Sequence, residues 1–344
     1  MKHAILTAAA ALILAVTAFA MPAPALGSRD VSSTNTTQSD CDRDCMTVIV
    51  YEILDSMVAN NPNTLPLAPV YQATENSHVA ALGFMNLWRT VTKAGTPSLL
   101  AIDTTVGSAY FSLDISEGND EKQSVLWVRI KVVNRQITEL ELYVNRSRGD
   151  HGFSFSPEEL PHNFERWMTP PANRTKATRA DLEGLSGATF NPNSTFSVSI
   201  ADDCQFTEEG WTVVDPGTDG DGSTTPLGCS WPDIRPTDLN ARLDLVIDEE
   251  LGIVVTGGVI PGKVFPYGPY GNMSAFIPND LASAQEAQEE WYANKTAEGV
   301  LSLLAPNNDT AEILEVLQYY NGELQGEQFM IHLGGPDMKS AWLQ

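Results

Sequence analysis

The chain has 344 residues, and its 44 acidic and 20 basic side chains give it a net charge of −24. Such acidity argues against partners that are recognised through basic patches, so we predict no binding to nucleic acid or to anionic membrane surfaces. The length allows two domains of ordinary size.

The first twenty residues have the composition of a secretion signal. Lys2 and His3 precede the apolar run Ala4–Ala20, and Ala18-Phe19-Ala20 fits the small-x-small rule for cleavage. The run is short for a membrane span, although a retained anchor is the alternative, and no other stretch is apolar enough to cross a bilayer. We therefore expect a secreted protein or one of the secretory-pathway lumen, with a signal over residues 1–20 and a disordered lead-in over residues 21–40.

Glycosylation and disulfide bonds are expected in that compartment. Seven Asn-x-Ser/Thr sequons exceed the roughly three expected by chance, which supports a eukaryotic glycoprotein. The four cysteines form an even set and predict two disulfides, with three pairings possible. A Cys204–Cys229 bond would close a polar, Gly-rich loop, and a Cys41–Cys45 bond is possible where a helix begins. The sequons lie at Asn35, Asn145, Asn173, Asn193, Asn272, Asn294 and Asn308.

Two segments have the pattern of a β-hairpin. In Leu126–Arg146, apolar residues alternate with Arg129 and Lys131 before a turn at Asn134-Arg135, which is the period-2 pattern of strands with one wet face. Leu314–Ile331 again predicts strand, turn and strand, here around Asn321-Gly322, a strong signal for a type I′ turn.

A second match suggests that the chain consists of two related halves. Leu67–Asn76 aligns with Ile200–Glu209 at an offset of 133, where Ala, Gln, Thr and Glu coincide, and each segment precedes one of the hairpins. Each half is predicted to hold a helix followed by mostly antiparallel strands, an α+β arrangement. The predicted helices are Met46–Ala59, Lys176–Leu185 and Asp280–Leu304, and the other predicted strands are Leu65–Asn76, Leu99–Asp103, Ser108–Ile115, Phe196–Phe206, Ala241–Glu249 and Leu251–Val259.

The sequence carries no motif for a cofactor or a metal. It has no nucleophile elbow, H-E-x-x-H, Walker loop or dinucleotide fingerprint, so we predict no cofactor and no metal site. Asp219-Gly220-Asp221-Gly222 alternates as in calcium loops but lacks further ligands, which favours a solvated loop. Asp248-Glu249-Glu250 could supply a general acid or base, but a turn whose charges face water is favoured.

Several short motifs occur in an order that resembles a known family. They are Cys41-Asp42-Arg43-Asp44-Cys45, Leu65-Pro66-Leu67-Ala68-Pro69 with Thr74-Glu75-Asn76, Leu87-Trp88-Arg89-Thr90, the Arg129–Val144 hairpin, Ala201-Asp202-Asp203-Cys204, Val246–Gly252 and the Pro336–Trp342 tail. Over residues 41–344, this order resembles a family of secreted fungal proteins with an uncharacterised domain related to the NTF2-like, or SnoaL-like, cone fold.

The resemblance implies cone units, which we place at residues 41–148 and 178–344 with a linker over residues 149–177. The chain departs from the family pattern in the linker and around residues 261–310, where it carries an insertion. In each unit, a curved antiparallel sheet would wrap round helices and leave an apolar cavity at its open end. Most members have no assigned activity. Related cone folds act as cyclases, dehydratases, isomerases and epoxide hydrolases on hydrophobic small molecules, and some secreted fungal proteins of this broad type look like hetero-Diels–Alderases.

Side chains on the sheet elements would either line such a cavity or fill the core, and aromatic residues there are usually core. His332 is a candidate proton shuttle. Arg129 is either solvent-facing or buried beside an acidic partner. The candidate catalytic residues are therefore His332, Arg129 and Glu75, of which Glu75 is matched by Glu208 in the second half, and the candidate ligand-binding residues are Trp88, Tyr143 and Tyr319.

The leading hypothesis is an enzyme of fungal secondary metabolism that acts on a hydrophobic terpenoid or polyketide intermediate. It would perform a cofactor-free cyclisation, dehydration or pericyclic closure of hetero-Diels–Alder type, which needs shape, orientation and a few hydrogen-bond donors. The alternatives are a non-catalytic binder of lipophilic ligands and a structural secreted glycoprotein. The first two predict an apolar cavity of a few hundred Å³, whereas the third predicts a filled core.

Overall fold

The computed structural model describes residues 40–146, 156–214, 225–231, 235–265, 276–299 and 305–343. The predicted signal, most of the lead-in, the sequons at Asn35 and Asn272, and the loop around Asp219 lie outside these described residues. We call the sheet and helices of residues 40–146 the first unit, and those of residues 156–343 the second unit.

The first unit contains a seven-stranded sheet with strand order β2–β1–β7–β6–β5–β3, and β4 also pairs with β5. Strand β1 pairs in parallel with β7, whereas the other neighbours are antiparallel. The elements are α1 (Arg43–Val58), β1 (Leu67–Glu75), β2 (His78–Val79), α2 (Leu87–Thr90), β3 (Val91–Ala94), β4 (Leu99–Asp103), β5 (Ser108–Glu117), β6 (Lys122–Val133) and β7 (Gln136–Asn145).

The second unit contains a seven-stranded sheet with strand order β10–β11–β13–β14–β8–β9, and β12 also pairs with β11. Strand β8 pairs in parallel with β14. The elements are α3 (Leu160–Met168), α4 (Arg179–Thr189), β8 (Ser199–Glu208), β9 (Trp211–Thr212), β10 (Arg242–Asp248), β11 (Ile253–Val264), β12 (Phe276–Pro278), α5 (Ala282–Ala297), β13 (Asn307–Tyr320) and β14 (Glu323–Leu333).

The two sheets share one connectivity. In each, the first long strand crosses over to pair in parallel with the last, and the last two strands form the hairpin that the sequence predicts. Both hairpin turns have two residues at positive φ, Asn134-Arg135 in the first unit and Asn321-Gly322 in the second, as a type I′ turn requires. The chain is therefore α+β, with two curved sheets and a few helices, consistent with two NTF2-like cone units.

One face of each sheet packs on a helix of its own unit, which we call its inner face. Helix α1 packs on the first sheet, where Ile53 is buried with Phe111 and Val128. Helix α4 packs on the second, where Leu185 is buried with Leu317. The period-2 alternation of the strands sends every second side chain to this face.

The outer faces of the two sheets pack on each other around α3. Trp127 and Tyr143 of the first sheet, Leu314 and Val316 of the second, and Phe164 of α3 belong to one buried cluster. Helix α3 lies in the range predicted to be a linker. Its Leu160, Phe164 and Trp167 follow helical spacing over only two turns, and the surrounding prolines obscure this pattern.

Two aspartates join the units in a reciprocal arrangement. Asp103 ends β4 and accepts a hydrogen bond from the Ile247 backbone N–H at 3.1 Å, while Asp248 ends β10 and accepts one from Ile102 at 2.8 Å. Arg179, the first residue of α4, binds Asp103 at 2.5 Å, and Arg43, the first residue of α1, binds Asp248 at 2.7 Å. Each unit therefore anchors the strand end of the other in the same way.

This arrangement corrects the expectation that the charges of Asp248-Glu249-Glu250 face water. The turn is present, and Glu249 and Glu250 are exposed, but the Asp248 side chain is fully buried. It accepts the backbone N–H groups of Glu250 and Leu251 as well as that of Ile102, so it holds both the turn and the neighbouring unit.

The cysteines form the pairs Cys41–Cys45 and Cys204–Cys229, which indicates an oxidising, secretory-type environment. No helix among the described residues is long and apolar enough to span a membrane. Of the sequons within the described residues, Asn145 is half-buried and accepts a hydrogen bond from Trp127, whereas the exposed ones are Asn173, Asn193, Asn294 and Asn308.

Candidate functional site: a cavity in the second unit

A cavity of about 220 Å³ lies on the inner face of the second sheet. Strands β13 and β14 form its floor, and β8, β12 and the chain after Cys229 contribute to its walls. Most of its lining is apolar, and the aromatic side chains that line it among the described residues are Phe190, Phe206, Trp231, Phe276 and Phe329.

Three buried ionisable side chains meet in this cavity. Arg235 donates from Nη1 to Glu315 Oε1 and from Nη2 to Glu327 Oε1, each at 2.5 Å. Glu315 is 0% exposed and Glu327 is 3% exposed, and the guanidinium stacks 3.8 Å from the ring centroid of Trp231. Glu208 also lines the cavity.

The hairpin register brings the two glutamates together. Glu315 lies opposite Phe329, and Leu317 lies opposite Glu327, so the carboxyl groups are diagonal neighbours on one face of an antiparallel pair. The disulfide at Cys229 ties the chain just before Trp231 and Arg235 to β8. Sheet pairing and a covalent bond thus position the cluster.

The cavity shifts the ionisation of both glutamates. Burial is the largest cause and raises the pKa of Glu315 to about 8; Arg235 opposes this shift and Glu327 adds to it. Burial also raises the pKa of Glu327, against the effect of Arg235. Two carboxylates beside a single guanidinium cannot both ionise easily in an apolar surrounding, so one proton is retained near neutral pH.

The hydrogen bonds agree with a retained proton. Glu315 Oε2 is buried and receives no hydrogen bond from a described donor, since Arg235 donates to Oε1 of the same carboxyl group. The Glu327 carboxyl lies within hydrogen-bonding range of Glu315 once one of the two groups is protonated. A proton between them supplies the missing hydrogen bond, and it makes the pair a potential acid or base in an apolar cavity.

The first unit has no such cluster at the equivalent positions. Its hairpin register pairs Val128 with Leu142 and Ile130 with Leu140, so Val128 stands where Glu315 stands and Leu140 where Glu327 stands. Both are fully buried in the core around α1. The two glutamates are therefore a property of the second unit and not a requirement of the shared connectivity.

The residues predicted from the sequence lie outside this cavity. Glu75 accepts the Leu87 backbone N–H at 3.0 Å in the first unit, and Trp88 donates to Ser56 at 3.0 Å in the same core. Tyr319 donates to the carbonyl of Gly322 at 2.8 Å, at the hairpin turn.

The other three predicted residues meet between the two sheets. Arg129 is buried and donates to Glu141 at 2.6 Å and to Glu139 at 2.7 Å, which confirms the acidic partner expected for a buried arginine. Tyr143 donates to Glu141 at 3.0 Å, and its ring lies 6.0 Å from that of His332.

This intersheet cluster is locked in its ionised form. Arg242 of the second unit also binds Glu141, at 2.7 Å. Burial tends to raise the pKa of Glu141, but Arg242 and Arg129 outweigh it and hold the pKa at about 2. Glu141 therefore remains charged at any physiological pH. It joins the units, and it offers no proton for chemistry.

A larger groove of about 770 Å³ runs beside α3 and β8. It is open to solvent, and its Arg166 and Asp203 pair with each other at 3.2 Å. These two side chains are 39% and 77% exposed, whereas the ion cluster of the smaller cavity is buried, so the smaller cavity is the stronger candidate site.

Sequence reasoning missed Arg235, Glu315 and Glu327. The sequence before Arg235 has no apolar periodicity. An alignment of the two hairpins could have indicated the glutamates, because Glu315 and Glu327 replace the apolar residues Val128 and Leu140 on the same inner face.

No protein-family model and no curated protein matches the chain. Among solved structures, a de novo designed protein with a curved β-sheet matches at 14% identity with a TM-score of 0.26, over 30% of this chain and 88% of that chain. A protein assigned as a ketosteroid isomerase from Kribbella flavida matches at 13% identity with a TM-score of 0.24, over 30% of this chain and 80% of that chain. The fold assignment therefore rests on the strand order.

Proposed function

We propose that the cavity of the second unit binds a small hydrophobic molecule and that Glu315 transfers a proton to or from it without a cofactor. The observation that supports this proposal is a buried carboxyl group with a pKa of about 8 inside an aromatic cavity. A group that titrates close to the working pH is suited to both donating and accepting a proton.

The reaction class follows from the groups in the cavity. A protonated Glu315 can donate to a departing hydroxyl group, and its carboxylate can remove a proton from carbon, so dehydration, isomerisation and proton-initiated cyclisation are within reach. A hetero-Diels–Alder closure needs enclosure and orientation more than a mobile proton. The retained proton favours the acid–base reactions over the pericyclic one.

The size of the cavity limits the ligand. A volume of about 220 Å³ exceeds the roughly 150 Å³ that admits benzene and is below the roughly 300 Å³ of ordinary drug-sized sites. We therefore propose a one- or two-ring molecule, which can be of the terpenoid or polyketide type that the family resemblance implies, and a protein that acts outside the cell or in the secretory lumen.

The test uses the purified full chain and a nitrobenzisoxazole, a small bicyclic probe of proton abstraction. A carboxylate removes the ring C–H proton, the N–O bond breaks as its electrons remain on oxygen, and a nitrile and a coloured phenolate form. We expect a rate above buffer that rises with pH and levels off above about pH 8. Glu315→Gln should lower this rate by at least about tenfold, and Leu281→Trp, which fills the half-buried rim, should abolish binding.

The exposed Glu323→Gln is the matched control, because it removes the same charge outside the cavity. Equal rates for wild type and Glu315→Gln would overturn the proton-transfer role. If equilibrium dialysis shows the probe bound but unconverted, the protein is a binder and the catalytic part is overturned. If neither the probe nor benzyl alcohol binds, the whole proposal is overturned.

A further inference from the structure

We infer that the ligand of the second-unit cavity carries a positive charge, and that a small hydrophobic ammonium binds there in exchange for the proton held by Glu315 and Glu327. This inference rests on the proposed ligand site. It does not depend on proton transfer to the ligand.

The charges that line the cavity favour a cation. The titratable side chains that line it, within the part of the chain that the structure describes, are Glu208 on β8, Arg235, Glu315 on β13 and Glu327 on β14. Among the described residues, Glu315 and Glu327 share the guanidinium of Arg235, and both of its Nη atoms already bind these glutamates. An anion would have to displace one of these bonds and lie beside the remaining carboxylates, at low dielectric, which is costly.

The aromatic lining favours the same charge. Five aromatic side chains of the described residues line the cavity, and aromatic faces attract ammonium groups within about 6 Å of the ring centroid. Trp231 already makes this contact with the Arg235 guanidinium, at 3.8 Å. Phe206 and Phe329 lie edge to face, with centroids 5.5 Å apart, so their ring faces point in different directions.

A hydrogen-bond acceptor is ready for the ligand. Glu315 lines the cavity, and its Oε2 atom is buried and receives no hydrogen bond from a described donor. An ammonium N–H can donate to it. The carboxyl proton then leaves to solvent, because a nearby cation stabilises the carboxylate. The charge of the cavity is unchanged by the exchange, one positive charge entering as one leaves.

This exchange makes affinity depend on pH. Where Glu315 is protonated in the free protein, binding an ammonium requires the loss of that proton, so affinity should rise by up to about tenfold per pH unit below pH 8 and level off above it. Arg235 and Glu327 face Glu315 and set this dependence, and Glu208 lines the same cavity.

The experiment compares three probes of nearly the same shape on the full chain: benzylamine, benzyl alcohol and benzoate. Binding is measured by titration calorimetry at about pH 6 and about pH 8, in two buffers of different ionisation enthalpy, which reports proton release. We expect benzylamine to bind at least about tenfold more tightly than benzyl alcohol at the higher pH, with benzoate undetectable and about one proton released per benzylamine bound at the lower pH.

Two variants locate the effect. Glu315→Gln should remove the pH dependence and most of the preference for the amine while benzyl alcohol still binds, and Glu323→Gln should behave as wild type. The control matters because the net charge of −24 attracts cations unspecifically. Such attraction would persist in Glu315→Gln and weaken with salt.

The outcomes separate the two proposals. If benzyl alcohol and benzylamine bind equally, or if Glu315→Gln retains the full preference for the amine, the cation inference is overturned and the cavity remains a ligand site. If none of the probes binds at either pH, both proposals are overturned.

Discussion

Replacing Glu315 by Gln should stabilise the protein at alkaline pH, although it changes a hydrogen-bond partner of the buried Arg235. Gln is nearly isosteric with the protonated carboxyl and cannot ionise. The native pKa of about 8 lies above the ordinary value of 4.5, so the native state binds more protons than the unfolded state between these pH values. The stability that the proton provides is therefore complete below about pH 4.5 and is lost as the pH rises to about 8.

The size of the effect follows from the shift. At about 1.4 kcal/mol per pKa unit, the wild type loses on the order of 5 kcal/mol between these limits through Glu315, and the Gln variant does not. Urea unfolding of both proteins at about pH 5, 7 and 9, extrapolated to water, gives the difference free of the other titrating groups. We expect near equality at the lowest pH and a more stable variant at the highest.

An ordinary buried ion pair predicts the opposite sign. If Glu315 were ionised and held by Arg235, its removal would cost about 3–5 kcal/mol at neutral pH, and the loss would shrink on acidification. That result would refute the retained proton. Glu117 provides a control of this second kind. Burial tends to raise the pKa of Glu117, but its hydrogen bonds to Arg146, Ser124 and Thr90 outweigh burial and lower the pKa. Glu117→Gln should therefore lose its destabilising effect progressively as the pH falls below the ordinary value of 4.5.

Three further predictions concern the supporting structure. Asp248→Ala removes the acceptor of the Ile102 N–H and the partner of the partly exposed Arg43. Urea unfolding should therefore show a loss of about 3 kcal/mol in the free energy of unfolding, and Asp103→Ala should show a similar loss. The control Glu250→Gln, at an exposed ion pair, should change the free energy of unfolding by less than about 1 kcal/mol. A negligible effect of both alanines would mean that the reciprocal contacts do not join the units. Val128→Glu places an unpaired carboxyl in the filled core of the first unit and should lower the free energy of unfolding by more than about 4 kcal/mol at neutral pH. Val133→Glu, at a position 45% exposed on the same strand, should leave the thermal unfolding nearly unchanged. A tolerated Val128→Glu would show that the first unit also has room for a charge. Replacing Cys204 and Cys229 by Ser should lower the free energy of unfolding by about 3–4 kcal/mol, against about 2 kcal/mol for Cys41 and Cys45, whose disulfide closes a shorter loop. Only the loss of the Cys204–Cys229 disulfide should weaken benzylamine binding, because Trp231 and Arg235 follow Cys229. Equal effects of the two replacements on binding would contradict that positioning role.

The hairpins were predictable from the sequence because their determinants are local. Alternation fixes which residues share a face, and Asn134-Arg135 and Asn321-Gly322 have the positive φ angles that close the strands. The parallel pairing of β1 with β7 and of β8 with β14 joins segments far apart in the chain, and no local pattern records it.

The candidate site was harder to predict because strand β13 is buried on both faces. Glu312 faces the first unit and binds Arg242, whereas Glu315 faces the cavity and binds Arg235. Glu312 and Glu315 both lie among apolar residues of β13. When a strand is buried on both faces, the alternation of its side chains no longer distinguishes a core-facing residue from a solvent-facing one. Which carboxyl meets a guanidinium, and in which surrounding, depends on residues from distant loops.

The two units share one connectivity, but the first has a filled core and the second has a cavity. The difference arises in the segment that follows the short second strand of each unit, β2 in the first and β9 in the second. In the first unit this segment supplies Leu82, Met85 and Trp88, which are buried in the core around α1. In the second unit it supplies Trp231 and Arg235, which line the cavity opposite two glutamates. A filled core has no room for an unpaired charge. A cavity that holds a paired ion cluster loses packing contacts, but its buried ionisable groups can take part in chemistry. Because Asp103 and Asp248 fasten each unit to the other, the well-packed first unit can stabilise the hollow second one, and this coupling explains how a single chain can contain a buried cluster that is costly to ionise.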